Sequence, residues 1–99
     1  MIKVGTYVQC AHLFYQYEEM LHKNLDRKPS DEELACGLNI KPRMCQAIKL
    51  RFDKHGVVKL RLIVVAERMG ISVERVRQLI GIGLRQVRRQ IAENRKEWL

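Results

Sequence analysis

The 99-residue chain contains no apolar run near the roughly 20 residues that a membrane-crossing helix needs. Its opening, Met1-Ile2-Lys3-Val4-Gly5, holds no signal-peptide apolar core. Together these absences set the expectation of a soluble, cytoplasmic chain with no membrane partner. The three cysteines (Cys10, Cys36 and Cys45) are odd in number, scattered, and form no C-x-x-C pair. His12, His22 and His55 add no metal-ligand spacing, so free thiols in a reducing compartment are expected, with neither metal nor cofactor. No nucleophile elbow, phosphate loop or catalytic string occurs, and Gly81-Ile82-Gly83 is too short and too helical in context to cradle a phosphate. An enzyme is not expected. Repeats and low-complexity tracts are also missing.

Charge is abundant and unevenly placed. The net charge is +8, yet residues 1–50 carry seven Lys/Arg against six Asp/Glu, while residues 51–99 carry twelve against five. A C-terminal half that basic points to a polyanion partner. A membrane-surface helix is the competing explanation, but its aromatic anchor would be missing until Trp98.

Read in order, residues 6 to about 25 form a helix with Val8, Ala11, Phe14, Tyr17 (or Glu18) and Leu21 at helical spacing. Tyr7, Tyr15 and Tyr17 have faces that can stack on bases, but beside such a stripe a core or rim role is the stronger expectation. Pro29 ends the segment, because it disfavours helical geometry at Lys28. Ser30-Asp31-Glu32-Glu33 is a capping box, and its acids suit the positive end of a helix dipole. The short helix that follows is expected to end near Gly37. Pro42 then opens a helix running to about Phe52. Leu34, Leu38, Ile40, Met44 and Ile48 are the expected core of this helical pair, and 53–59 is a loop bent at Gly56, the one expected hinge.

The remainder reads as a helix-turn-helix. Leu60 to Arg68 forms the first helix, packing through Leu62, Val65, Ala66 and Met69. Gly70 supplies the positive φ of the turn and Ser72 the N-cap. Val76, Leu79, Gly83 and Val87 share one helical face, while Glu74, Arg77, Gln78, Arg85, Arg88 and Arg89 share the opposite one. Arg, Gln and Glu have the donors and acceptors that discriminate bases in the major groove. The competing reading is a basic amphipathic helix whose charged face is merely solvated. The helix is expected to continue toward Glu97.

Gly70-Ile71-Ser72-Val73-Glu74-Arg75-Val76-Arg77-Gln78-Leu79 resembles the signature with which primary-type bacterial sigma factors read the upstream promoter hexamer, G-[VI]-[ST]-R-E-R-[VI]-R-Q-[IL]. Arg27-Lys28-Pro29-Ser30-Asp31-Glu32-Glu33-Leu34-Ala35, followed by Pro42, is similar to the central domain of the same family, as is Ile2-Lys3-Val4 to its opening. The resemblance implies an all-α fold: a small helical bundle with a C-terminal helix-turn-helix. It divides the chain into 1–53, like the central domain, and 54–99, like the promoter-binding domain. It implies double-stranded promoter DNA and RNA polymerase core as partners, with bacterial, phage and plastid origins all open. Carried over by position, Glu74, Arg77 and Gln78 are the base-reading residues, and Ser72, Arg75, Arg85, Arg88 and Arg89 are placed for the DNA backbone, the four arginines alternatively for other protein.

The chain departs from the family in several places. It has no room for the linker between the two domains and lacks the aromatic-rich domain that binds the polymerase clamp, so a complete sigma factor is not expected. Val73 replaces an arginine, and Lys41 and Arg61 stand where capping residues are usual. Ile80-Gly81-Ile82-Gly83 replaces a strongly helical E-A-K-A, each glycine costing the helix about 1 kcal/mol. Ile63, Val64, Ile80 and Ile82 are expected on the surface, as an interface for a regulator or for self-association, with a loosened fold as the competing reading. The alternative reading is therefore a sigma-like interaction module that does not read DNA; a stand-alone repressor-type dimer is a third.

Overall fold

The computed structural model describes residues 6–93. Five helices are present: α1 (Thr6–Leu25), α2 (Asp31–Leu38), α3 (Pro42–Arg51), α4 (Leu62–Met69) and α5 (Val73–Glu93). Among the described residues there is no strand beyond a single bridge between Phe52 and Val58, and no helix is long and apolar enough to cross a membrane. The all-α expectation holds. Residues 94–99, into which α5 was expected to continue, lie outside the described residues, as does Ile2-Lys3-Val4.

Local chemistry sets the ends of these helices. Before α2, the Glu33 amide donates to Ser30 Oγ at 3.2 Å and the Ser30 amide to Glu33 Oε1 at 2.9 Å, the reciprocal capping box. Arg27 adds two bonds to the same carboxylate, at 2.8 and 2.6 Å. That helix ends at Leu38, near Gly37 as expected, and its cap is Asn39, in the left-handed region at φ 58°. Gly37 instead makes room for a neighbouring helix, because a Cβ there would overlap the Tyr17 hydroxyl of α1. Asn tolerates the left-handed conformation, so it takes over the cap. α3 begins with Pro42 in its first turn, and its N-cap, Lys41, makes no side-chain cap bond.

The core is continuous. Cys10, Ala11 and Phe14 of α1, Leu34 and Leu38 of α2, Met44, Cys45 and Ile48 of α3, Val65 and Met69 of α4, and Val76, Leu79, Leu84 and Val87 of α5 are all buried. Each large apolar side chain so enclosed contributes about 1.5–3 kcal/mol. α5 is the hub, packing against every other helix. Val8, expected in the α1 stripe, is exposed, and Cys10 takes its place. A three-residue step falls about 60° short of a full turn. The buried line through Ala11 and Phe14 therefore continues to Cys10, four residues before Phe14.

Polar bonds fix α1 to α3. Tyr15 donates to the Phe52 carbonyl at 2.8 Å, and Lys49 reaches both Glu18 (3.0 Å) and Asp31 (2.8 Å). Burial alone would lower the Lys49 pKa, but these two carboxylates outweigh it and the net shift is upward. Tyr15 and Tyr17 thus serve packing, as the stronger expectation had it. The segment expected as a hinge is a stitched turn. Asp53 Oδ1 accepts from the amides of His55 and Val57, and Gly56 at φ 84° lies so close to the Val8 carbonyl that a Cβ would overlap it.

Candidate nucleic-acid interface

α4 and α5 meet through a tight turn whose parts the sequence supplies. Gly70 closes α4 in the left-handed region (φ 68°, ψ 34°), its amide directed at the Ala66 and Glu67 carbonyls. Two residues on, Ser72 Oγ accepts from the Arg75 amide at 3.1 Å and caps α5. Arg43 of α3 reaches the Met69 carbonyl at 3.4 Å and ties the turn to the rest of the fold. α4 itself starts at Leu62, two residues later than expected, behind an Arg61 cap that makes no side-chain bond.

The two faces of α5 separate as the spacing requires. Val76, Leu79, Gly83 and Val87 are buried, whereas Glu74, Arg75, Arg77, Gln78, Arg85, Arg88 and Arg89 are exposed. In the first two turns the polar side chains pair with one another. Arg77 Nη1 lies 3.4 Å from Glu74 Oε1, and Arg75 Nη1 lies 3.3 Å from Gln78 Oε1. The first pair is 60% and 69% exposed, so water competes for it and either partner can exchange it for a ligand at little cost. The arrangement presents five guanidiniums, an amide and a carboxylate on one rigid rod. Glu74, Arg77 and Gln78 stand one turn apart or less, near the N-terminal end that a groove-inserted helix uses.

The expected surface isoleucines divide. Ile63 and Ile82 are exposed, at 54% and 46%, and Val64 is half-buried. Ile80 is only 4% exposed and belongs to the core, which corrects its assignment to an interface. It follows Leu79 on the side of α5 that also meets Leu62 and Tyr7. The glycines on either side of Ile82 are packing sites and do not mark a loosened helix. A Cβ on Gly83 would stand 3.1 Å from Met44 Cβ, and one on Gly81 would stand 3.1 Å from the Tyr7 hydroxyl. Tyr7, on the first turn of α1, therefore borders the polar face of α5. Sequence spacing carried no sign of this contact, since 74 positions separate the two residues.

A family model described as sigma-70, region 4, matches residues 39–89, just over half of the chain. The matched stretch runs from the Asn39 cap through α3, the 53–59 turn and α4 to Arg89 of α5; α1 and α2 lie outside it. Comparison with curated proteins and with solved structures finds no match.

Proposed function

The chain belongs to the sigma-70 region 4 family, a helix-turn-helix region of the DNA-binding kind, and from that premise we propose that it recognises promoter DNA at the upstream hexamer. In this reading α5 enters the major groove by its first two turns and α4 braces the backbone. Glu74, Arg77 and Gln78 read bases, and Ser72, Arg75, Arg85, Arg88 and Arg89 hold phosphates. RNA polymerase core is the working partner, and the nucleoid the place of action. Residues 1–53 act as a central-domain-like buttress for 54–99, with α3 serving both.

The observation that carries this reading is the exposed Glu74–Arg77–Gln78 row directly behind a capped turn, on a helix whose other face is locked in the core. Each good bidentate base contact discriminates by about 1–3 kcal/mol. Fluorescence anisotropy with a TTGACA-like duplex and a scrambled one, across a salt series, tests it. The expected outcome is a preference on the order of 10³ that survives moderate salt. Equal, weak binding erased by salt refutes it.

A second reading, an interaction module that keeps the scaffold without reading DNA, is favoured by the exposure of Ile63 and Ile82. Replacing Glu74 and Arg77 together by alanine separates the two. Promoter selectivity disappears under the first reading, and partner binding is unchanged under the second.

A further inference from the structure

Gly81 stands four residues after Arg77 and four before Arg85, in the middle of one row on the polar face of α5. The space above it is filled from another helix. The Tyr7 hydroxyl lies 3.1 Å from the position a Gly81 Cβ would take, and Arg85 Nη1 lies 3.8 Å from the same point. Beside this contact, Tyr7, Arg51, Leu62, Arg77 and Ile80 line a cleft of about 200 Å³. Four helices meet there: the start of α1, the end of α3, the start of α4 and the second turn of α5.

The cleft has an apolar floor, Leu62 and Ile80, and a rim of donors. Arg51 is fixed in place. Its Nη1 donates to the Leu60 carbonyl at 2.8 Å and its guanidinium carbon sits 5.9 Å from the Phe52 ring centroid. A guanidinium has five N–H donors, so several remain. Arg77 reaches Glu74 only at 3.4 Å in an exposed pair that exchanges readily. The Arg51 guanidinium and the Tyr7 phenol, with no carboxylate among the lining residues, form a set that suits an anion, and Arg77, whose donors are assigned to a base, adds positive charge beside them.

We propose that this cleft receives a backbone phosphate of the bound DNA, so that α1 contributes Tyr7 to the nucleic-acid contact. The inference rests on the DNA-reading proposal above. The groove geometry favours it. A major groove about 12 Å wide is nearly filled by a helix about 10–12 Å across, so its phosphate walls meet whatever flanks the inserted turns. On this side of Arg77 and Ile80, the flanking groups are Tyr7 and Arg51. Gly81 is then the residue that lets the Tyr7 hydroxyl settle against α5 at the height of the wall.

The test measures binding of the hexamer duplex and a scrambled duplex to the wild type, Tyr7→Phe, Arg51→Gln and Gly81→Ala. The hexamer duplex is also made with single methylphosphonates stepped along each flank. Tyr7→Phe keeps the ring, and Gly81→Ala moves the hydroxyl aside while removing a mid-helix glycine, so a weaker complex cannot be ascribed to a weaker fold. Circular dichroism melts record this. All three variants are expected to bind about five- to tenfold more weakly, and equally so on both duplexes, because a phosphate contact carries no sequence information. One methylphosphonate position is expected to weaken the wild type by a similar factor and to leave Tyr7→Phe unaffected. A wild type that prefers the hexamer, with variants matching it on every duplex, overturns the cleft assignment and leaves the DNA reading intact. A wild type with no hexamer preference overturns both.

Discussion

Gly83 of α5 lies flat against Met44 of α3: a Cβ at Gly83 would stand 3.1 Å from Met44 Cβ and 3.4 Å from Ile48 Cδ1. The close approach explains a glycine that, from helix propensity alone, looks like a defect. Gly83→Ala gains about 1 kcal/mol in propensity but forces two buried side chains apart, which costs about 1–3 kcal/mol. Because Met44 Cβ is anchored to its own backbone, the net expectation is a loss of about 1 kcal/mol. Urea unfolding checks it; a variant as stable as the wild type would show that α3 and α5 separate freely.

Ser72 closes the N-terminus of the helix that carries Glu74, Arg77 and Gln78. Ser72→Ala is expected to lower stability by about 1 kcal/mol. Amide exchange in the first turn of α5 should accelerate more than in α3. Ser72→Asp, which restores an acceptor and suits the helix dipole, should recover the loss.

Glu33 gives the fold an acid-sensitive joint. Hydrogen bonds from Arg27, then the Ser30 amide, hold its carboxyl down at about 2, against 4.5 for a free one. A depressed folded pKa means the stabilisation is fully present above about 4.5 and is lost as pH falls through about 2. Melting temperatures of Glu33→Gln should therefore depend less on pH across that window than those of the wild type. The Arg27 pair is solvent-exposed, so salt should weaken its share while leaving the Ser30 bond.

The three thiols should react at very different rates. Burial, reinforced by the nearby Asp31 charge, pushes the Cys45 thiol up to about 12. Burial also raises Cys10, against the opposing charge of Arg88. Cys36 is exposed. A thiol reagent at pH 8 is expected to modify one cysteine quickly and two only on unfolding, and Cys36→Ser should abolish the fast phase. Two fast thiols would mean that α1 or α3 opens in the native state.

Much of the fold was legible along the chain. The bounds of α1, the Ser30–Glu33 box, Pro42 at the head of α3, the Gly70 turn and the Ser72 cap all depend on residues within four positions of one another. The opposed faces of α5 follow from a single helical period. Where expectation and structure part at Ile80, Gly81 and Gly83, the cause is shared: each answers to a side chain or helix distant in sequence. Gly81 faces Tyr7 and Gly83 faces Met44. Ile80 is covered from outside its own helix.

By itself, then, the sequence determined where α1, α2 and α3 begin and end, which face of α5 is polar, and that Glu74, Arg77 and Gln78 stand together at its start. Hydrogen-bonding caps and a 3.6-residue period act over one or two turns, and a linear string records them in full. Only the tertiary structure decided that α1 lies against α5, that the two glycines of α5 are contact points, and that Tyr7 and Arg51 border the polar face of α5. Those outcomes depend on sub-ångström fits between atoms tens of residues apart, and close packing, unlike capping, leaves no local pattern in the chain.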